Sequence, residues 1–160
     1  MSDTDTPTIE ATRERNASAV RRLYQCDRDR DLETWASLWN PEGRATFPAC
    51  DYLDPVVGVE ALKKWMAPKH ATRGKVEIRD EILPLVDPTR ILACVGLSFE
   101  RGGDNPPFEG VIWVLFTFDD DGLILEHAEM FDTVAYRDVL MRPTTALPMN
   151  LRPGSLPGRG

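Results

Sequence analysis

The chain has 160 residues, a formal net charge of −7, 28% charged residues and 13 prolines. That length suits one domain with a core large enough to stand without disulfides or a structural metal. The negative charge argues against nucleic acid and anionic membrane surfaces as partners, and the longest apolar run, residues 111–116, is too short to cross a bilayer.

Residues 1–8 are polar and acidic, unlike a signal or transit peptide, and read as a flexible N-terminus. A first helix is predicted over residues 10–27, where Val20, Leu23, Tyr24 and Asp27 fall at i, i+3, i+4 and i+7. Asp31 is placed to cap a second helix with Leu32, Trp35, Ala36 and Trp39 on one face, ended by Pro41. Residues 44–48 read as a short strand. A third helix follows Gly58, with Val59, Leu62, Trp65 and Met66 as its stripe.

From Lys75 the apolar period changes to two, and four strands are predicted: residues 75–86, 90–100, 108–118 and 123–131. Asp87-Pro88-Thr89 and Asp119-Asp120-Asp121-Gly122 supply turns. A short helix is expected over residues 133–141. Residues 9–142 then form the domain, and residues 143–160, with four prolines and three glycines, form a tail unfit for helix or central strand. Helices first and antiparallel strands afterwards define an α+β class, a curved antiparallel sheet packed on N-terminal helices. The strands over 91–99 and 108–118 are apolar on both faces, so one face must meet something besides helices; a homodimer through the sheet is the simplest arrangement. Cys26, Cys50 and Cys94 show no metal-ligand spacing and read as free thiols in a reducing cytoplasm.

Three segments carry a resemblance. They are Asp31-Leu32-Glu33-Thr34-Trp35-Ala36-Ser37-Leu38-Trp39, then Gly58-Val59-Glu60-Ala61-Leu62, and the ending Gly122-Leu123-Ile124-Leu125-Glu126-His127-Ala128-Glu129-Met130-Phe131-Asp132. In this order and spacing the chain resembles the SnoaL-like branch of the nuclear transport factor 2-like (NTF2-like) superfamily, with its polyketide cyclases and phenazine-biosynthesis A/B proteins. The resemblance implies a cone: a curved sheet around an apolar pocket closed by helices, commonly dimeric through the sheet. It also implies a functional acid at Glu129. The positions matching the base and tyrosine of ketosteroid isomerase hold Phe47 and Leu23, with Tyr24 one place away.

The residues themselves support an acid/base site. On an alternating strand Leu125, His127, Glu129 and Phe131 share one face, and the apolar pair turns that face inward. A carboxyl group there is desolvated, which disfavours its anion and prepares it to exchange protons. The competing reading is a salt-bridged glutamate near a strand end. His127 can orient Glu129 or relay a proton, or can simply pack. Asp80 interrupts the stripe Val76, Ile78, Ile82; it is either a second carboxyl group facing Glu129 or a rim residue paired with Arg79 or Arg90. Trp39, Phe47, Tyr52, Trp65, Trp113 and Phe131 are the candidate substrate-binding aromatics. No metal or cofactor is expected. The function expected is acid/base chemistry on an apolar carbonyl-bearing intermediate of secondary metabolism: cyclisation, isomerisation, dehydration or condensation. The alternatives are an epoxide hydrolase of the limonene type and a non-catalytic ligand-binding module.

Overall fold

The computed structural model describes residues 8–99, 108–134 and 137, without the side chains of residues 71–80, 97, 99 and 108. Helix α1 (Ile9–Asp29) opens at Thr8, whose hydroxyl accepts the Ala11 N–H, and closes on Arg30 in the left-handed region. The predicted stripe Val20, Leu23, Tyr24 and Asp27 is buried throughout. Helix α2 (Leu32–Ser37) starts at Asp31, whose carboxylate accepts the Thr34 N–H at 3.0 Å. Helix α3 (Val59–Thr72) buries Leu62, Trp65 and Met66 and, in its last turn, Lys69 and His70.

Six strands form one sheet: β1 (Trp39–Thr46), β2 (Val56–Val57), β3 (Arg73–Pro84), β4 (Arg90–Phe99), β5 (Phe108–Phe118) and β6 (Ile124–Met130), in the order β2-β1-β6-β5-β4-β3. The α+β class with N-terminal helices on a curved sheet holds. One pairing departs from the antiparallel rule, because β1 runs parallel to β6.

The second helix is shorter than the sequence predicts. It stops at Ser37, and Trp39 already opens β1 rather than ending α2. Pro41 lies inside that strand, not at a helix end. The β1–β6 ladder breaks register between Trp39 and Arg44, so Pro41 sits where no ladder hydrogen bond is required of it. The same break brings Gly43 so close that a Cβ there would lie 2.8 Å from the Ile124 carbonyl oxygen.

The core lies between the helices and the inner sheet face. Ile91, Ala93 and Val95 of β4 and Ile112, Val114, Phe116 and Phe118 of β5 meet Val20, Leu23, Trp35, Leu62 and Met66. The outer face of β5 carries Val111 and Trp113, 38% and 37% exposed. Asn16 donates to the Pro88 carbonyl, and Arg13 to those of Leu85 and Val86, tying α1 to the β3–β4 turn. The expected N-terminal segment, the helix over 133–141 beyond its first residues, and the tail over 143–160 lie outside the described residues. Among the described residues no helix is long and apolar enough to cross a membrane.

Candidate active site

A cavity opens between the two layers. Its described lining is Leu23, Tyr24 and Asp27 from α1, Trp35 from α2, Trp65 and Met66 from α3, Ile112 from β5, and His127 and Glu129 from β6. The cavity volume is about 10 Å³, roughly the room one water needs.

His127 and Glu129 do point inward together, for a reason different from plain alternation. The β5–β6 ladder pairs Phe118 with Ile124 and Thr117 with Glu126, which leaves Leu125 as an extra residue in the strand. Leu125 is exposed rather than inward. The bulge resets the phase, so Ile124, His127 and Glu129 share the core side. The His127 Nδ1 to Glu129 Oε1 distance is 3.6 Å, with side chains 7% and 13% exposed. Aromatic rings hold the imidazole: Phe116 edge-on at 5.0 Å and Trp39 at 5.8 Å between centroids. Trp35 packs on Trp39 at 5.1 Å, and Tyr24 meets Phe116 edge-on at 6.2 Å. One face of His127 is therefore fixed by packing while its polar edge looks toward Glu129.

On the opposite wall Asp27 belongs to a second pair, which helix periodicity alone does not mark. His70 Nε2 lies 2.9 Å from Asp27 Oδ1, and both side chains are buried. A signal existed. Asp27 is the polar member of an apolar stripe, and His70 follows Leu62 and Met66 at i+8 and i+4.

The remaining candidates separate. Trp65 lines the cavity, and Trp39 backs His127. Phe47 lies behind Trp65 at 5.9 Å and meets Phe131 at 6.5 Å, so these two form a second layer. Tyr52 is not among the lining residues; its hydroxyl donates to the Thr133 carbonyl at 2.9 Å. Burial first, and then the Cys50 thiol, push its phenol well above the usual range. Arg137 lies over the Tyr52 ring and 3.7 Å from Asp51, joining the β1–β2 loop to the chain after β6. Trp113 does not reach the cavity. It alternates with the inward Ile112 and Val114 and stands on the outer face of the sheet. The Asp80 side chain lies outside the described residues, in a stretch where β3 breaks register against β4 between Ile78 and Ile82. Among the described residues no three His, Cys, Asp or Glu side chains gather as a metal site.

No family model matches the chain, and no curated protein matches it. Solved structures do match in fold. An NTF2-like protein of unknown function from Burkholderia pseudomallei superposes with a TM-score of 0.64 at 16% identity, over 78% of this chain and 96% of that one. A steroid delta-isomerase from Pseudomonas aeruginosa gives 0.58 at 17% identity, over 74% and 80%. An epoxide hydrolase of the LEH-like kind from M. tuberculosis gives 0.63 at 15% identity, over 76% and 86%. The fold is thus NTF2-like, as the three sequence segments imply, and at these identities the likeness speaks for the fold alone.

Proposed function

We propose that the chain is a small-molecule enzyme working by general acid/base catalysis without a bound cofactor. Glu129 is the acid/base, His127 its partner, and the substrate an apolar compound bearing a carbonyl group. The reaction classes that fit are isomerisation, cyclisation, dehydration and condensation. One observation carries this reading: a nearly buried carboxylate–imidazole pair faces a cavity whose wall is mostly apolar, with Leu23, Trp35, Trp65, Met66 and Ile112 beside Tyr24 and Asp27. Such a wall excludes water, and one well-placed acid/base there suffices for proton transfer. The steroid isomerase and the epoxide hydrolase among the structural neighbours support a small-molecule enzyme. Substrate enters by displacing side chains, with the flexible Met66 the easiest to move. Asp80 stays a candidate assistant on β3. Cys26, Cys50 and Cys94 stand as thiols, which suits a reducing cytoplasm.

A second reading, epoxide hydrolysis, is favoured by Asp27. Water activation between carboxylates needs a second one in the cavity, and Asp27 supplies it. The outer sheet face, with Val111, Trp113, Leu83 and Leu125 exposed, is the proposed homodimer surface. Light scattering is expected to give twice 18.0 kDa, and Trp113→Glu to return the monomer; a monomeric parent chain at micromolar concentration contradicts the assembly.

The test of the main reading uses tetralone as a probe ketone. Exchange of the hydrogens beside its carbonyl in heavy water, followed by NMR, is expected to run faster with the protein than in buffer. Glu129→Gln is expected to lower that rate by about 10²–10⁴ while the thermal midpoint holds. Exchange at the parent rate in Glu129→Gln removes Glu129 from the mechanism. A protein that binds tetralone without exchanging it is the binding module.

A further inference from the structure

The cavity has two titratable walls, and the role given to Glu129 uses only one. On the other, Asp27 of α1 and His70 of α3 meet at 2.9 Å with side chains 2% and 7% exposed. Asp27 lines the same cavity as His127 and Glu129. Burying such a pair merely to join two helices gains little, because taking both groups from water offsets most of their attraction. The helices already have apolar residues for that purpose, Leu23 on α1 and Leu62 and Met66 on α3. A carboxylate whose one oxygen is held by an imidazole, and which opens onto a cavity, is instead an arrangement suited to chemistry.

We propose that Asp27 is a second proton-transfer group of the site, oriented by His70 as its positioning residue. The substrate class this implies is a carbonyl compound that gives up a carbon-bound proton toward the helices while its oxygen faces Glu129 on the sheet. This deepens the acid/base reading of Glu129 and rests on it. In the forward transfer the C–H bond breaks and its proton passes to an Asp27 oxygen. The freed pair forms a C=C bond, and the carbonyl π pair takes the proton of Glu129, giving the enol. Where the substrate carries a β,γ double bond the enol is a dienol, and Asp27 then returns its proton to the γ carbon as Glu129 takes back the hydroxyl proton. Both carboxyl groups end as they began, the double bond has moved, and no oxidant, reductant or co-reactant enters. His70 fixes the orientation of the Asp27 carboxylate by holding one of its oxygens.

A nitrobenzisoxazole is the probe, since it reports proton removal directly. A base takes the ring C–H proton, the N–O bond breaks, and the electron pair appears as a coloured phenolate. The parent chain is expected to accelerate this above free acetate at the same pH. Asp27→Asn is expected to lower kcat by about 10²–10⁴, and Asp27→Glu to recover part of it. His70→Gln is expected to lower kcat about tenfold or more with KM unchanged. The double variant Asp27→Asn with His70→Gln should be no slower than Asp27→Asn alone, since the two act as one unit. A purely structural pair gives lower thermal midpoints with an unchanged rate per folded molecule, and that result overturns the proposal. Loss of rate in Glu129→Gln beside parent rate in Asp27→Asn overturns it while leaving the role of Glu129 standing. No acceleration by the parent chain overturns both. Should Asp27→Asn fail to fold, an unchanged kcat in His70→Gln overturns the proposal by itself.

Discussion

The two walls of the cavity carry the same pair of chemical groups in different backbones. The chain has two histidines: His127 lines the sheet wall with Glu129, and His70, outside the described lining, meets Asp27 of the helical wall. On the helical wall the partners are 43 positions apart and close to 2.9 Å. On the sheet wall they are two positions apart on one strand, and the gap is 3.6 Å, beyond a hydrogen bond. The backbone explains the difference. Residues i and i+2 of a strand are set about 7 Å apart along it, so their side chains must lean to meet. Two helices can bring side chains together from opposite directions. The helical pair is therefore joined by a hydrogen bond through one Asp27 oxygen, whereas the sheet pair is not.

The largest expected consequence is in stability. Asp27→Ala strips His70 of a buried partner and is expected to cost about 3–5 kcal/mol. Glu129→Ala removes a carboxylate that makes no hydrogen bond to His127 at 3.6 Å, and is expected to cost below about 1 kcal/mol. Denaturant midpoints at constant slope measure both. Equal costs would mean that the two pairs are held alike and that the distance difference carries no energetic meaning.

A smaller asymmetry concerns room. Met66→Ala on the helical wall is expected to cost about 2–5 kcal/mol, and Ile112→Val on the sheet wall about 0.5–1.5 kcal/mol. Both residues line the cavity, so each deletion should also tighten binding of an apolar naphthol, Met66→Ala the more. Calorimetry of the two variants with that ligand settles whether the helical wall is the side that yields. Stronger binding to Ile112→Val would reverse the assignment.

The same comparison shows what could be read from the sequence. Period alone located α1, α3, β4 and β5, because each is a long regular run with clear turn residues at its ends. The start of β1 was hidden, since Pro41 reads as a helix stop and only the broken β1–β6 register makes it tolerable in a strand. The inward turn of Glu129 is legible in the sequence, but plain alternation does not produce it. Leu125 is the bulge residue and faces out, and the phase of β6 depends on an irregularity that composition does not mark. Trp113 was assigned to the pocket by residue type, whereas parity on β5 sends it outward. Asp27 and His70 were overlooked because helix stripes are read for their apolar members. The reasoning that singled out Asp80, a lone acid on an apolar face, applies equally to Asp27 at the end of Val20, Leu23 and Tyr24.

The smallest expected effect separates the two layers by pH. Asp31 starts α2 and so positions Trp35 on the helical wall; Asp87 closes the turn from β3 to β4 in the sheet. Hydrogen bonds to Thr34 hold the Asp31 carboxyl below its ordinary range, and hydrogen bonds to Thr89 do the same for Asp87. The contacts are Thr34 N–H to Asp31 at 3.0 Å, and the Thr89 hydroxyl and N–H to Asp87 at 2.7 and 2.9 Å. For a carboxyl group depressed in the fold, the stabilisation is complete above the unfolded value, about 4, and fades as pH falls through the lower folded value. Both groups therefore contribute their stabilisation in full at neutral pH and lose it on the acid side. Asparagine keeps an oxygen acceptor at either position and cannot titrate. Asp31→Asn and Asp87→Asn should each flatten the fall of the thermal midpoint below about pH 4, and together they should flatten it further, since one acts at a helix start and the other in a sheet turn. An acid limb as steep in the double variant as in the parent would assign that limb to other carboxylates.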